Sequence, residues 1–118
     1  MKTIYLKILT ILLLYFGEAL SVYSEMIAAK SHSAATHPFM TIFSKAFIMI
    51  TCAGAFLIAG YMLGYKSYKN IWVVSAMSIT SILIMEPLLC YTILKQLPTR
   101  GALIGLILGA AGFIATFL

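Results

Sequence analysis

The sequence predicts an all-α integral membrane protein, a bundle of four transmembrane helices. Of its 118 residues, 63% are hydrophobic and 9% are charged, whereas a soluble domain carries about 25% charged residues. The apolar residues form four stretches long enough to cross a bilayer. Short segments that contain Pro38, Pro98 and both histidines separate these stretches. The chain therefore has room for one four-helix domain over residues 1–118 and for no water-exposed domain.

The first predicted span, residues 4–29, carries Glu18 near its middle. A charged side chain at the centre of a membrane helix costs roughly 2.5 to 3.5 kcal/mol, so it normally faces a bundle interior or a watery cavity and has a function there. Lys2 and Lys7 followed by an apolar run imitate a signal peptide. Because the apolar character continues past Glu18 to about residue 29, we interpret the segment as a retained first helix.

A polar stripe follows one face of this first helix. Helical periodicity aligns four residues spaced 4, 3 and 4 apart: Leu14, Glu18, Ser21 and Glu25. Tyr15 lies about one turn before Glu18. Glu25 lies near the predicted membrane interface, where we expect it to be solvated and structural. The stripe predicts that this helix lines a cavity around Glu18.

The second predicted span covers residues 41–64, after a loop at residues 30–40. Lys45 lies near its start, where its side chain can reach the lipid headgroups. Gly60 and Gly64 provide a small surface for close helix contact.

The third predicted span covers residues 71–95. Its first half is polar and contains Ser75 and Ser78, and Glu86-Pro87 interrupts its second half. Trp72 is interpreted either as an interfacial anchor or as the aromatic wall of a binding chamber. Since the first and third spans run in the same direction, we expect Glu18 and Glu86 at similar depth, where two like charges would interact. The alternative is that Glu86 hydrogen bonds to backbone groups opened by the proline.

The fourth predicted span, residues 101–118, carries a stripe of small residues on one face: Gly101, Gly105, Gly109 and Gly112. Such a stripe is typical of close helix–helix packing in membranes. It supplies no reactive side chain, so we assign it to assembly.

Charge and composition exclude several classes of function. The net charge of +5 comes from basic residues that occur singly or in close pairs, which indicates interfacial anchors and no nucleic-acid partner. Cys52 and Cys90 both fall inside apolar spans, so we expect buried apolar side chains there and neither a disulfide nor a metal site. The sequence contains no nucleophile–base motif or phosphate-binding loop, so we expect neither an enzyme nor a cofactor.

The basic residues are balanced between the two sides of the predicted bundle. Four lie on the side of the N-terminus and four on the side of the first and third loops: Lys2, Lys7, Lys66 and Lys69 against Lys30, Lys45, Lys95 and Arg100. Because an excess of Lys and Arg normally sets orientation, this balance predicts insertion in both orientations and an antiparallel, dual-topology homodimer. Alternatively, a partner subunit or another signal sets the orientation.

Two segments resemble the small multidrug resistance family of the drug/metabolite transporter superfamily, which also includes EamA-like proteins. The segment IWVVSAMS at residues 71–78 is similar to the start of that family's third helix, and residues 86–118 are similar to the end of a superfamily repeat. The resemblance implies an antiparallel homodimer in a prokaryotic inner membrane. It implies that Glu18 alternately binds protons and a cationic substrate, and that Trp72 matches a chamber tryptophan. The chain differs from the family pattern in its longer first loop, in Val73 to Ala76 at the position of a glycine pair, and in the second acid, Glu86.

Three functions follow as hypotheses. The first is proton-coupled export of small or hydrophobic cations through a binding site drawn from Tyr15, Glu18, Ser21, Trp72, Ser75, Ser78 and Glu86. The second is a flippase, or a flippase subunit, for a lipid-linked sugar or polyisoprenyl phosphate, with Lys45 or Lys7 as the phosphate anchor. The third is a non-transporting membrane subunit that assembles through the fourth helix.

Overall fold

The computed structural model describes residues 2–34, 37–115 and 118 of the chain. Helix α1 spans Lys2–Ser33, α2 spans Phe39–Tyr68, α3 spans Ile71–Leu89 and α4 spans Arg100–Ala115; a π-helical segment, Cys90–Leu94, continues α3. The predicted all-α class is confirmed. Helices α1, α2 and α3 with its π-helical segment are long and apolar enough to cross a membrane, which fits an integral membrane protein. Helix α4 is shorter: its 16 residues extend about 24 Å, against about 30 Å for a hydrocarbon core.

A two-residue turn joins α2 to α3. Lys69 adopts a left-handed conformation with φ 58° and donates its backbone N–H to the carbonyl of Tyr65, which ends α2. The Asn70 side chain then accepts a hydrogen bond of 3.0 Å from the Trp72 backbone N–H. This bond satisfies one of the free N–H groups at the start of α3, so the chain reverses direction with both helix ends capped.

Glycines hold α2 close to α1 and α3. A Cβ atom added to Gly60 would lie 2.8 Å from Leu14 Cδ2, and one added to Gly64 would lie 2.8 Å from Thr10 Cγ2 and 2.9 Å from Val74 Cγ2. Gly60 and Gly64 are therefore contact residues, as the sequence predicts. Cys52, expected to be buried, is exposed because it lies on a face of α2 turned away from α1 and α3.

Helices α1 and α3 run in parallel, and two side-chain contacts define their register. Ser78 of α3 hydrogen bonds to Glu18 of α1, and near the other end the Cys90 thiol lies 3.7 Å from the Met26 sulfur. The buried residues concentrate where α1, α2 and α3 meet: Thr10, Leu14, Val22, Ser24, Ile42, Ala53, Ser67, Val74, Ala76, Ser78 and Ser81. This three-helix unit positions the candidate site.

Helix α4 lies at the edge of the molecule. Among the described elements it packs only against α3. A Cβ at Gly109 would lie 3.5 Å from Leu83, whereas a Cβ at Gly101 or Gly105 would meet no other atom within 4 Å. The assignment of the α4 glycine stripe to assembly therefore stays a prediction, because most of the stripe faces open space in a single chain.

Candidate functional site: a carboxylate between two membrane helices

Glu18 lies on α1 beside the face that contacts α2, on the side that contacts α3. The preceding residue, Gly17, faces α2, where an added Cβ would lie 2.9 Å from Leu57. One residue further is about 100° around an α-helix, which directs Glu18 towards α3. Glu18 is half-buried, so its carboxylate combines a protein partner with access from outside.

The partner of this carboxylate is the Ser78 hydroxyl. Ser78 Oγ donates a hydrogen bond of 2.6 Å to Glu18 Oε1. Ser78 belongs to the buried face of α3, together with Val74 and Ser81 at helical spacing, and it is 5% exposed. The Ser81 hydroxyl donates to the Ser78 backbone carbonyl at 2.7 Å. The small side chain of Ser78 thus allows α1 to approach α3 closely, and its hydroxyl supplies a hydrogen-bond donor for Glu18.

The remaining predicted residues of this region lie near Glu18 or Ser78 in the sequence but do not bond to the pair. Tyr15, Ser21 and Ser75 are half-buried, and none of the hydrogen bonds of the described residues joins them to Glu18. The predicted polar stripe runs from Leu14, which is buried against Gly60 of α2, to Glu25, which is exposed. Glu18 is the stripe residue that hydrogen bonds to α3.

No basic side chain in the described part of the chain forms an ion pair with Glu18. Lys7, the closest basic residue to it along α1, lies over the Tyr68 ring with its Nζ 5.1 Å from the ring centroid. The Glu18 carboxylate therefore has a hydrogen-bond donor and no resident counter-ion among the described residues.

The structure does not bring Glu18 and Glu86 together. Equal depth would require a register in which Glu18 of α1 lies opposite Glu86 of α3. The observed contacts instead join Glu18 to Ser78 and Met26 to Cys90. Glu86 therefore lies about 6–12 Å beyond Glu18 along the helix axes. The expected common depth is wrong because α3 is shifted along α1. The alternative, a bond to opened backbone, is also absent: no described residue hydrogen bonds to the Glu86 side chain.

Trp72 lies in the first turn of α3 and is 72% exposed. Within one chain its ring is on the outer surface and not in the interface that holds Glu18. This location agrees with an interfacial anchor. A place in the wall of a chamber would require a second chain beside it.

Two cavities are separate from the Glu18–Ser78 pair. One, of about 220 Å³, opens between the end of α1 and the start of α2, and its polar lining residues are Ser24, Ser31, His37, Thr41 and Lys45. The other, of about 470 Å³, contains Glu86 and lies between α3 and α4. Sequence reasoning found Glu86 and Lys45 but not the cavities, because residues far apart in the chain form each of them.

Among the described residues, no group of three or more His, Cys, Asp or Glu side chains is arranged to hold a metal ion. Cys52 and Cys90 are free thiols, and Cys90 is half-buried.

Comparison with models of known protein families, with characterised proteins and with solved structures finds no match to this chain.

Proposed function

We propose that this chain is a proton-coupled exporter of small or hydrophobic cations, in which the Glu18 carboxylate alternately binds a proton and the cation. One observation carries the proposal: a half-buried carboxylate inside a membrane-crossing helix accepts a hydrogen bond of 2.6 Å from Ser78 and has no ion-pair partner among the described residues. The resemblance to small multidrug resistance proteins supports the same reading.

The hydroxyl of Ser78 suits a group that changes its protonation state. A serine hydroxyl has one donor and two acceptor sites, so it can donate to the carboxylate or accept from the carboxylic acid. The carboxylate form without a counter-ion is costly within a bilayer. A proton and a substrate cation each remove that cost, and both compete for the same oxygens. Binding of the cation therefore releases the proton, and this competition couples their movements.

The substrate class follows from the surroundings of Glu18. Tyr15 lies one turn away and is half-buried, and an aromatic ring face attracts organic cations. The helices that carry Glu18 and Ser78 are otherwise strongly apolar, which favours a cation with apolar substituents over a strongly hydrated metal ion. We expect quaternary ammonium, phosphonium and substituted guanidinium compounds to be the best ligands.

The decisive experiment measures proton release from detergent-solubilised protein in weak buffer as phenyltrimethylammonium or tetraphenylphosphonium is added. Wild type is expected to release protons in a saturable manner, and Glu18→Gln is expected to release none. Glu25→Gln is the matched control, because Glu25 lies on the same helix and is exposed. Absence of release from folded wild-type protein, or unchanged release from Glu18→Gln, would contradict the proposal.

A second candidate function rests on the cavity between α1 and α2. Lys45 and His37 line it together with the hydroxyl group of Thr41, and these donors suit a phosphate group. This arrangement favours the hypothesis of a flippase, or flippase subunit, for a polyisoprenyl phosphate or lipid-linked sugar.

The two candidates are separated by thermal stabilisation with a polyisoprenyl phosphate. A flippase predicts stabilisation that Lys45→Gln removes and that Lys30→Gln, also near this end of the bundle, leaves unchanged. A cation exporter predicts no such stabilisation. If neither the organic cations nor the polyisoprenyl phosphate has an effect, and the Glu18→Gln variant remains functional, the hypothesis of a non-transporting assembly subunit is favoured.

A further inference from the structure

Glu86 lies in a cavity of its own. The cavity has a volume of about 470 Å³, within the range of roughly 300–1,000 Å³ that is typical of small-molecule sites. The end of α3, the following loop and the first turns of α4 form its walls, which consist of Glu86, Pro87, Cys90, Gln96, Leu97, Pro98, Thr99, Ala102, Gly105 and Leu106.

The charge of this cavity is negative. Glu86 is the only charged side chain among its described lining residues, and the polar ones, Gln96 and Thr99, are neutral. Lys95 and Arg100 flank the loop in the sequence but are not part of the lining. No described residue forms an ion pair or a hydrogen bond with the Glu86 carboxylate. The carboxylate thus lacks a compensating group from its own chain.

The position of Glu86 makes that lack of compensation costly. It lies inside the candidate span Ile71–Leu94, and its side chain is exposed in the single chain. Ionisable residues at such positions generally face a cavity and mark a pathway or binding site. A neutralising ligand is therefore favoured here on electrostatic grounds.

The backbone next to Glu86 adds negative potential. Pro87 has no N–H, so the carbonyl one turn earlier loses its usual donor. The Cys90 N–H is shared between the carbonyls of Glu86 and Pro87, where the π-helical segment begins. π-helical turns are frequent at functional sites.

We propose that the Glu86 cavity is a second binding site, separate from Glu18, for an organic ammonium cation. The carboxylate would pair with the ammonium group, and Leu97, Ala102 and Leu106 would contact its apolar substituents. This site does not depend on proton exchange at Glu18, because the two glutamates belong to different helices and different depths.

The native thiols provide a direct test. The sequence has two cysteines, so Cys52→Ser leaves Cys90 as the sole thiol. Cys90 is a half-buried lining residue of the cavity, and its sulfur lies 3.7 Å from that of Met26. Cys90 follows Glu86 by one helical turn, a spacing of about 5–6 Å between side chains. The rate of Cys90 modification is measured with a trimethylammonium-bearing and with a sulfonate-bearing methanethiosulfonate. The ratio of the two rates reports the charge of the cavity.

The expected result is a preference for the cationic reagent that falls by about ten-fold in Glu86→Gln, since a unit charge near the thiol is removed. Glu25→Gln, which changes an exposed glutamate of α1 outside the cavity, should leave the ratio unchanged. Phenyltrimethylammonium should protect Cys90 from a neutral maleimide, whereas its uncharged isostere tert-butylbenzene should not. The protection should disappear in Glu86→Gln.

A pair of glycine variants tests the cavity itself. Gly105 lines the cavity and has room for a side chain, so Gly105→Leu should fill it and slow modification of Cys90 by every reagent. Gly101→Leu makes the same change one turn earlier on α4, outside the lining, and should not.

An unchanged rate ratio in Glu86→Gln, equal protection by the charged and neutral ligands, or a Cys90 that reacts only after denaturation would each overturn the proposal. The protection assay is repeated in Glu18→Gln. Protection that persists there, together with lost proton release, would separate this site from the exchange site. Protection that is lost in Glu18→Gln would overturn its independence.

Discussion

One hydroxyl group determines how the Glu18 carboxylate is satisfied inside the bundle. The bond from Ser78 measures 2.6 Å, and hydrogen bonds to ionised groups are roughly twice as strong as those between neutral groups. Ser78 therefore holds the Glu18 carboxylate to which the cation binds in the proposed exchange.

Ser78→Ala is accordingly expected to weaken cation binding at fixed pH. A hydrogen bond to a charged group is worth about 1.5–3 kcal/mol, so losing the bond that positions the cation-binding carboxylate should lower the apparent affinity about ten-fold. The measurement is the cation concentration that gives half-maximal proton release. Ser75→Ala removes a hydroxyl from the same helix that does not bond to Glu18, and its affinity should match wild type. Equal effects of the two alanine variants would contradict the assigned role of Ser78.

At the scale of the helices, glycine contacts fix how α1, α2 and α3 pack. Gly64 lies against Thr10 and Val74, and both are 0% exposed. Their β-branched side chains have restricted χ1 rotamers, and the Thr10 hydroxyl also donates to the Leu6 carbonyl at 2.7 Å. Neither neighbour can easily move away from a larger residue at position 64.

Gly64→Ala should therefore be less stable than Gly54→Ala by about 1–3 kcal/mol, the usual cost of overpacking. Both substitutions lie within α2, so the gain in helix propensity cancels in the comparison. A Cβ at Gly54 would meet no other atom within 4 Å. The measurement is the free energy of unfolding in mixed micelles of increasing sodium dodecyl sulfate content. Equal stability of the two variants would refute the three-helix contact at Gly64.

At the scale of the whole molecule, a three-helix unit carries α4 on one edge. Helix α4 packs only against α3 among the described elements, and its residues from Gly101 to Ile104 are exposed. The antiparallel homodimer expected from the balanced basic residues stays a prediction. In such a dimer α4 would find its partner on the second chain, and the exposed ring of Trp72 would lie near it or near the headgroups.

Dual topology predicts that one added charge is enough to bias orientation. Thr3→Lys adds a positive charge on the N-terminal side, and Ser33→Lys adds one on the side of the first loop; both positions are exposed. Since positive loops remain in the cytoplasm, Thr3→Lys should raise the fluorescence of a C-terminal fluorescent-protein fusion, and Ser33→Lys should raise the activity of a C-terminal alkaline phosphatase fusion. Wild type should give both signals. A single signal from wild type that neither variant changes would argue for one fixed orientation.

Composition and helical periodicity determined the class of this protein and much of its contact surface. Long apolar stretches must form helices in a bilayer, since each backbone polar group needs a partner within the segment, and small residues such as Gly60 and Gly64 mark where such helices meet. The sequence also identified Glu18, because a carboxylate within an apolar span is costly wherever its helix packs.

Only the tertiary structure determined which groups of other helices contact the glutamates and glycines that the sequence identified. The shift of α3 along α1 brings Ser78 to Glu18 and leaves Glu86 to a separate cavity beside α4. Periodicity defines the faces of each helix but not the axial register between two helices. That register depends on how side chains from distant parts of the chain fit together, as Gly64 fits between Thr10 and Val74.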